Sequence, residues 1–354
     1  MTDDKKQVRS LKLLIIGAGA IGTYIGGSLA IQGHKVTFLE TPGVVEELQE
    51  RGLSLEIDGL IKRIPDPSLA ASLEDALALG SYDVAIFALK SYDTRSAINN
   101  LMINRSGIPP ILCLQNGISN EALLSSAFGT ENVIPGSVTS AVGRRAVGNI
   151  ILERLRGVGI DRNHRLANTL ATAFNTAGLN ARLYSNPASM KWSKLITNLP
   201  ANASSAILNL TPADIFSNPG LFQMEILQLR EALAVMKAQN IPVVDLPGTP
   251  VRLFAFAIRS LPFWLSRVIL KRAIGSGRGG KMPSFHIDLY SRRGKSEVVY
   301  LNGAIADEGE KLGIPTPVNR FLTDTLMALT QGEIPLNTYA QNPTKFLIDL
   351  QAQF

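Results

Sequence analysis

The stretch KLLIIGAGAIGTYIGGSLAIQGHKVTFLE, residues 12–40, decides the fold. KLLIIG is an unbroken apolar run that stops at a glycine, as a strand covered on both faces does. The next segment to Gln32 has helical character, Gly33-His34 turns the chain, and KVTFLE forms a second strand. Between strand and helix lies Gly17-Ala18-Gly19-Ala20-Ile21-Gly22. In such a GxGxxG loop the first glycine allows a tight turn. The second admits a pyrophosphate close to the backbone, and the third lets the helix pack against the sheet. The helix N-terminus then offers its free N–H groups to the phosphates. Strand, loop and helix in this order predict a dinucleotide site. FAD proteins share the fingerprint, so the loop alone does not select a nicotinamide.

Further along, DVAIFALK (83–90), PILCLQNG (110–117), VIPGSVTSA (133–141), NIILERLRGVGI (149–160) and ARLYS (181–185) read as strands or β-rich segments. Strands alternating with helical segments predict a mostly parallel, doubly wound Rossmann-type sheet. After Ser185 the pattern becomes helical, over about 187–210, 221–240, 252–273, 297–313 and 318–331, with Asn186-Pro187 as the opening cap. The expected organisation is a polar tail (1–10), a dinucleotide-binding domain (11–185) and an α-helical domain (186–354). A basic insertion is expected at about 245–283 within the helical domain.

Composition bounds the function. An apolar share of 45% with 18% charged residues describes a globular chain, and 354 residues suit two domains. The polar start MTDDKKQVRS lacks the apolar core of a secretory signal, and the lone Cys113 allows no internal disulfide. Both favour a cytoplasmic protein. LFAFAIRSLPFWLSRVIL (253–270) holds two arginines and a proline, so it is not expected to span a bilayer. The net charge of +6 is uneven: residues 251–295 hold ten Lys/Arg and one acid, leaving the remainder slightly acidic. A nucleic-acid protein shows a broader basic face, so nucleic acid is not an expected partner.

Glu40 closes the second strand, and no Lys or Arg follows before Arg51. A carboxylate there accepts from the ribose hydroxyls and repels a 2′-phosphate, which favours NADH over NADPH. Lys90 and Gln115-Asn116-Gly117 follow two further strands, on the side where ligands bind in such sheets. Each by itself also reads as a surface lysine or a turn.

Lys194, Asn198 and Asn202 recur at four-residue spacing in MKWSKLITNLPANASSAI, residues 190–207. On one helix they form a slowly turning stripe about 12 Å long, suited to a small elongated substrate. A partly buried lysine gives up a proton more readily, and the amides can hold a carboxylate and a hydroxyl. The same lysine also reads as a snorkelling side chain, and Pro200 is expected to kink the helix.

Taken together, GAGAIG, LK at 89–90, LQNG at 114–117, K-x-x-x-N-x-x-x-N at 194–202 and PSFHIDLYSRRGKSEVVYLNG at 283–303 resemble the ketopantoate reductases over nearly the whole chain. The resemblance implies NAD(P)H-dependent reduction of 2-dehydropantoate to (R)-pantoate, toward pantothenate and coenzyme A. It implies a Rossmann domain followed by a helical domain of the 6-phosphogluconate-dehydrogenase-like kind. By motif position Lys194 is the proton donor, with Glu297 near it and near the nicotinamide. Asn198, Asn202 and Ser284 hold the substrate. Asn116 lies where cofactor and substrate meet, and Ala141 lies beside the cofactor. His34 and His286 are read as structural. The family often carries an arginine after the second strand, where this chain reads LETPG. The basic insertion is read as a lid or a subunit contact, and a homodimer stays open. Two alternatives keep the fold: a reductase of another 2-keto acid or of an imine, as in opine-type enzymes, and a nicotinamide-binding sensor without turnover.

Overall fold

The computed structural model describes residues 9–103, 107–261, 282–292 and 294–354. Most of the basic insertion and the start of the N-terminal tail lie outside the described residues, and so does the far end of the helix expected over 252–273. The chain divides into two compact units. The first holds the described residues up to Gln115, Ser119–Lys191 and a short return at Leu246–Thr249. The second holds Asn116–Ile118, Trp192–Asp245 and the described residues from Pro250 onward.

The first unit is built on an eight-stranded sheet. Its strands are β1 (Lys12–Ile16), β2 (Lys35–Leu39), β5 (Ser68–Ala70), β6 (Val84–Phe87), β7 (Ile111–Cys113), β8 (Val133–Val138), β11 (Val158–Asp161) and β12 (Ala181–Tyr184). Their order is β12-β11-β8-β7-β6-β1-β2-β5, all parallel except the β8–β11 pair. Alternation along β1 fills both faces. Leu13 and Ile15 join Ile25, Leu29 and Phe38 on one side, while Leu14 and Ile16 join Leu73, Leu101 and Cys113 on the other. Burial on both faces is why β1 reads as a continuous apolar run.

A second, four-stranded sheet was not expected from the sequence. It consists of β3 (Leu53–Ile57), β4 (Leu60–Ile64), β9 (Ala141–Ala146) and β10 (Asn149–Arg154), in the order β4-β3-β10-β9. The helix α1 (Ala20–Ile31) lies between the two sheets. A Cβ on Gly26 would meet Ile15 and Phe38 of the large sheet, and one on Gly27 would meet Leu55 of the small one, at 2.7–2.8 Å. Coverage on both sides explains why α1 lacks a polar face, every residue from Gly22 to Leu29 being buried.

Helices α2 (Pro42–Arg51), α3 (Leu73–Ala78), α4 (Thr94–Met102), α5 (Asn120–Phe128) and α6 (Ala167–Thr176) complete the first unit. The second unit is helical. It includes most of α7 (Pro187–Asn198), then α8 (Ala203–Leu208), α9 (Pro212–Ser217), α10 (Pro219–Ala238) and α11 (Val251–Ser260). Helices Ser284–Tyr290, Asn302–Leu312, Pro317–Gln331 and Pro343–Gln351 follow, with a 3-10 turn at Glu297–Tyr300. Thr211 and Asp214 form a capping box with Pro212 at the first position of α9, and Asn218 caps α10 by accepting from the Gly220 and Leu221 N–H groups, with Pro219 at the first position. The core gathers Trp192, Leu195, Ile196, Phe222, Phe285 and Phe346 with their neighbours.

The single helix expected over 187–210 is two helices. Pro200 has no N–H to donate, its ring excludes the carbonyl four residues back, and Leu199 is steered away from helical angles. Therefore α7 stops at Asn198, and a turn closes from Asn202 N–H to Leu199 O at 3.0 Å. Ala201 sits in the left-handed region at φ 52°. The buried Glu225 carboxylate holds this break, accepting from Ala201 N–H at 2.9 Å and from Ser204 and Gln228.

Candidate active site

The glycine loop has the geometry of a phosphate cradle. Gly17 adopts φ +99°, and its N–H donates to Leu39 O at 3.1 Å, tying the loop to β2. A Cβ on Gly22 would lie 1.7 Å from Gly17 O, so the helix can approach only because that residue is glycine. At Gly19, the N-cap of α1, a Cβ would meet nothing within 4 Å. The loop thus leaves space above a helix N-terminus, and it does so between β1 and β6, where the strand order reverses. These residues fit the pyrophosphate of a dinucleotide. Glu40 lies against the same loop: Oε1 accepts from Ala18 N–H at 2.5 Å and Oε2 from Thr41 N–H at 3.2 Å. Lys90 is half-buried ahead of a short 3-10 turn, Ser91–Asp93. Ala141 opens β9 beside Ser140, whose hydroxyl accepts from the Arg156 and Gly157 N–H groups.

The remaining motif residues all lie in the second unit. Asn116 Oδ1 accepts from Asn198 Nδ2 at 3.1 Å. Asn198 O accepts from Asn202 Nδ2 at 3.2 Å, and Asn202 Oδ1 accepts from the Phe285 N–H at 3.2 Å. The exposed Ser284 precedes Phe285 in the first turn of its helix. Glu297 is buried at the start of the 3-10 turn that ends at Tyr300. A Cβ on Gly117, next to Asn116, would fall 2.7 Å from Tyr300 O. Lys194 is half-buried one turn before Asn198. Three asparagines and the first turn of the helix Ser284–Tyr290 thus form one linked polar chain that starts one helical turn from Lys194.

The break after Asn198 changes which residues share a face. Asn202 is no longer on the helix of Lys194 but at the N-cap of α8. The polar stripe of α7 is Lys191, Lys194 and Asn198, spaced i, i+3, i+7.

Lys191 went unnoticed in the sequence. Its ammonium is buried in the first unit and meets three oxygens: Glu121 Oε1 at 2.6 Å, Gln115 O at 2.6 Å and Gly136 O at 3.3 Å. Burial disfavours its charge, but the Glu121 carboxylate outweighs that and holds the pKa above the ordinary lysine value. Gln115 extends the network, its Nε2 donating to Leu89 O and to Thr94 Oγ1, which bonds Asn120 in turn. The one signal for Lys191 in the sequence is a lysine flanked by Met190 and Trp192 in an apolar helix.

The two histidines singled out in the sequence, His34 and His286, have partners within the fold. His34 Nδ1 accepts from Leu11 N–H at 3.0 Å, and His286 bonds Asn209 at 2.8 Å and stacks on Tyr290. Burial lowers the pKa of both. Among the described residues no group of three His, Cys, Asp or Glu could hold a metal, and no helix is long and apolar enough to cross a membrane.

Residues 13–161 match the family described as "Ketopantoate reductase PanE/ApbA", and residues 186–330 match its C-terminal counterpart. A 2-dehydropantoate 2-reductase of Halobacterium salinarum is 25% identical over 332 residues, covering 91% of this chain and all of the relative. A ketopantoate reductase structure from Ralstonia eutropha JMP134 aligns with TM-score 0.76 and 27% identity, over 91% of this chain and 99% of that one. A D-mandelate dehydrogenase in complex with NADH and anilino(oxo)acetate shares the fold at TM-score 0.75 and 23% identity, over 93% of this chain and all of that one. With both parts of the family pattern matched across most of its length, the chain belongs to the ketopantoate reductases, NAD(P)H-dependent oxidoreductases acting on a CH–OH group.

Proposed function

We propose that the protein reduces a small anionic 2-keto acid, with 2-dehydropantoate the first candidate and (R)-pantoate the product, as a step toward pantothenate and coenzyme A. The observation that carries this reading is the Asn116–Asn198–Asn202–Phe285 chain of hydrogen bonds lying one helical turn from Lys194. A bound nicotinamide supplies the hydride. Lys194 stabilises the negative charge that develops on the carbonyl oxygen and then protonates it. Glu297 orients the ammonium. Asn116 and Asn198, already paired with each other, hold the substrate's carboxylate and hydroxyl together with Ser284. Both polar ends of the Asn202 side chain have protein partners. It acts by fixing Asn198 and the first turn of the helix carrying Ser284.

NADH is the proposed reductant. The support is Glu40, whose carboxylate lies against the glycine loop and would repel a 2′-phosphate. The deciding experiment follows nicotinamide absorbance with NADH or NADPH against 2-dehydropantoate, other branched and aryl 2-keto acids, and imine-forming pairs of keto acid and amine. Lys194→Met should lose about 10²–10⁴-fold in kcat while keeping its dinucleotide affinity. Unchanged turnover in that variant removes the proton-donor role. Reduction of imines alone moves the protein to the opine-type reading.

A further inference from the structure

We infer that Lys191 is a positioning residue, tying helix α7 to the strand end that carries Asn116 and so setting where Asn116 meets the face bearing Lys194 and Asn198. The inference deepens the proposed function, since it assigns a support to that same site. Its geometry stands apart from any assignment of substrate.

The β7–β8 ladder ends at Cys113 opposite Pro135. Just past it, the Gln115 and Gly136 carbonyls are gathered by one ammonium, at 2.6 and 3.3 Å. The Glu121 carboxylate forms an ion pair with the same ammonium at 2.6 Å. Buried and held by two carbonyls and a carboxylate, the Lys191 ammonium is committed to this network. It is anchored at both ends by covalent continuity. Lys194 and Asn198 follow it by three and seven residues on one rigid helix, and Asn116 follows its acceptor Gln115 directly. The pairing of Asn116 with Asn198 at 3.1 Å then depends on the loop leaving Gln115 in the correct place. A small displacement of such a polar pair is enough to cost catalysis heavily.

The chain carries its own reporter. Cys113 is its single cysteine, fully buried two residues before Gln115, with Sγ 3.7 Å from Gln115 Oε1. Burial raises its pKa most and Glu121 raises it further, while the Lys191 cation lowers it. Removing that cation without moving the strand end would make the thiol less reactive. Loosening the strand end would make it more reactive. The two effects have opposite signs.

The test compares wild type, Lys191→Met and the double variant Lys191→Met/Glu121→Leu. The double variant replaces the ion pair by an apolar pair of similar size, a change that buried pairs commonly tolerate. If the single variant fails to fold, the double variant remains informative through kcat and through amide hydrogen exchange at residues 113–116, because losing Glu121 by itself makes the thiol more reactive and so confounds labelling there. Two readouts are taken on folded protein: the rate of Cys113 modification by a thiol-specific reagent, and kcat with the dinucleotide Kd measured separately. The expected result is modification faster by about tenfold or more, kcat lower by about tenfold or more, and dinucleotide affinity unchanged within about twofold. Modification as slow as in wild type overturns the inference whatever happens to kcat, and so does faster modification with unchanged kcat. If wild type reduces no 2-keto acid, the proposed function falls. Cys113 labelling alone then decides whether Lys191 fixes the strand end.

Discussion

Alanine at Gly22 and alanine at Gly19 should fail differently, and the difference is worked from two distances. A Cβ at Gly22 would lie 1.7 Å from Gly17 O, whereas real contacts of this kind do not fall below 3.0 Å, so loop and helix must part by about 1.3 Å (3.0 − 1.7). The obstacle is backbone and cannot rotate away. Overpacking of this kind costs about 1–3 kcal/mol, here toward the upper end, and the better helix propensity of alanine offsets about 1 kcal/mol. A net loss of about 2 kcal/mol lowers Tm by roughly 4–8 °C. The shift also moves the N–H groups of the loop by about the distance that ruins a phosphate hydrogen bond, so dinucleotide binding should weaken as well. At Gly19 the φ of −69° suits any residue and a Cβ meets nothing within 4 Å. Gly19→Ala should therefore keep the wild-type Tm within about 1 °C while placing a methyl where the pyrophosphate belongs. Losing one charge-assisted hydrogen bond there costs about 1.5–3 kcal/mol, or roughly 10–100-fold in Kd. Calorimetric titration with NADH and thermal melts of both variants give the needed numbers. Wild-type affinity in Gly19→Ala would refute the phosphate cradle, and a wild-type melt in Gly22→Ala would refute the close approach of helix and loop.

Three other outcomes are expected. Asn116→Ala and Asn198→Ala should be coupled by about 0.5–1.5 kcal/mol in a double-mutant cycle on kcat/KM, because each is the other's partner at 3.1 Å; additive effects would mean the pair is not held during turnover. Glu225→Leu leaves the Ala201 N–H and the Ser204 and Gln228 side chains without their acceptor and should cost about 3 kcal/mol or more in urea unfolding, with Glu225→Gln losing clearly less; equal losses would show that only packing matters there. The buried His34 accepts at Nδ1 from the Leu11 N–H and has a lowered pKa, so the unfolded chain binds its proton more tightly. Its contribution is full above the unfolded value of about 6.5 and is lost as pH falls through the folded pKa. His34→Gln should flatten that acid slope of stability, and an unchanged slope would assign it to other groups.

Much of the first unit was legible because its signals are local. Each expected strand of the large sheet is a short run ending in polar or turn residues, and each forms, while the segment expected over 149–160 divides into β10 of the small sheet and β11 of the large one. The small sheet was passed over although one of its signals stands in the chain. Asp58-Gly59 joins β3 to β4 as a two-residue turn with φ of 51° and 76°, and such a dipeptide between alternating residues marks a hairpin. The strand β4 is exposed almost throughout, so it offered no apolar run to notice. In the helical half the K-x-x-x-N-x-x-x-N spacing singled out Asn198 and Asn202, which are joined by a hydrogen bond, but for a different reason than a shared helical face. Pro200 ends the helix, and Asn202 reaches back to Asn198 from the start of the next one.

The sequence alone determined the strand–glycine loop–helix at 12–40, because backbone angles, close approach and burial on two faces each demand particular residues at fixed neighbouring positions. It also singled out Lys194, Asn198 and Asn202 by their four-residue spacing. Only the tertiary structure decided which of them touch, that Lys191 rather than a surface lysine lies buried against Glu121 and two carbonyls, and that Glu225 secures the break between α7 and α8. Those facts depend on partners 24 to 83 residues away, as from Glu225 to Ala201 and from Phe285 to Asn202. No periodicity of a single segment encodes such distances, since burial of a charge becomes tolerable only when its distant partner arrives.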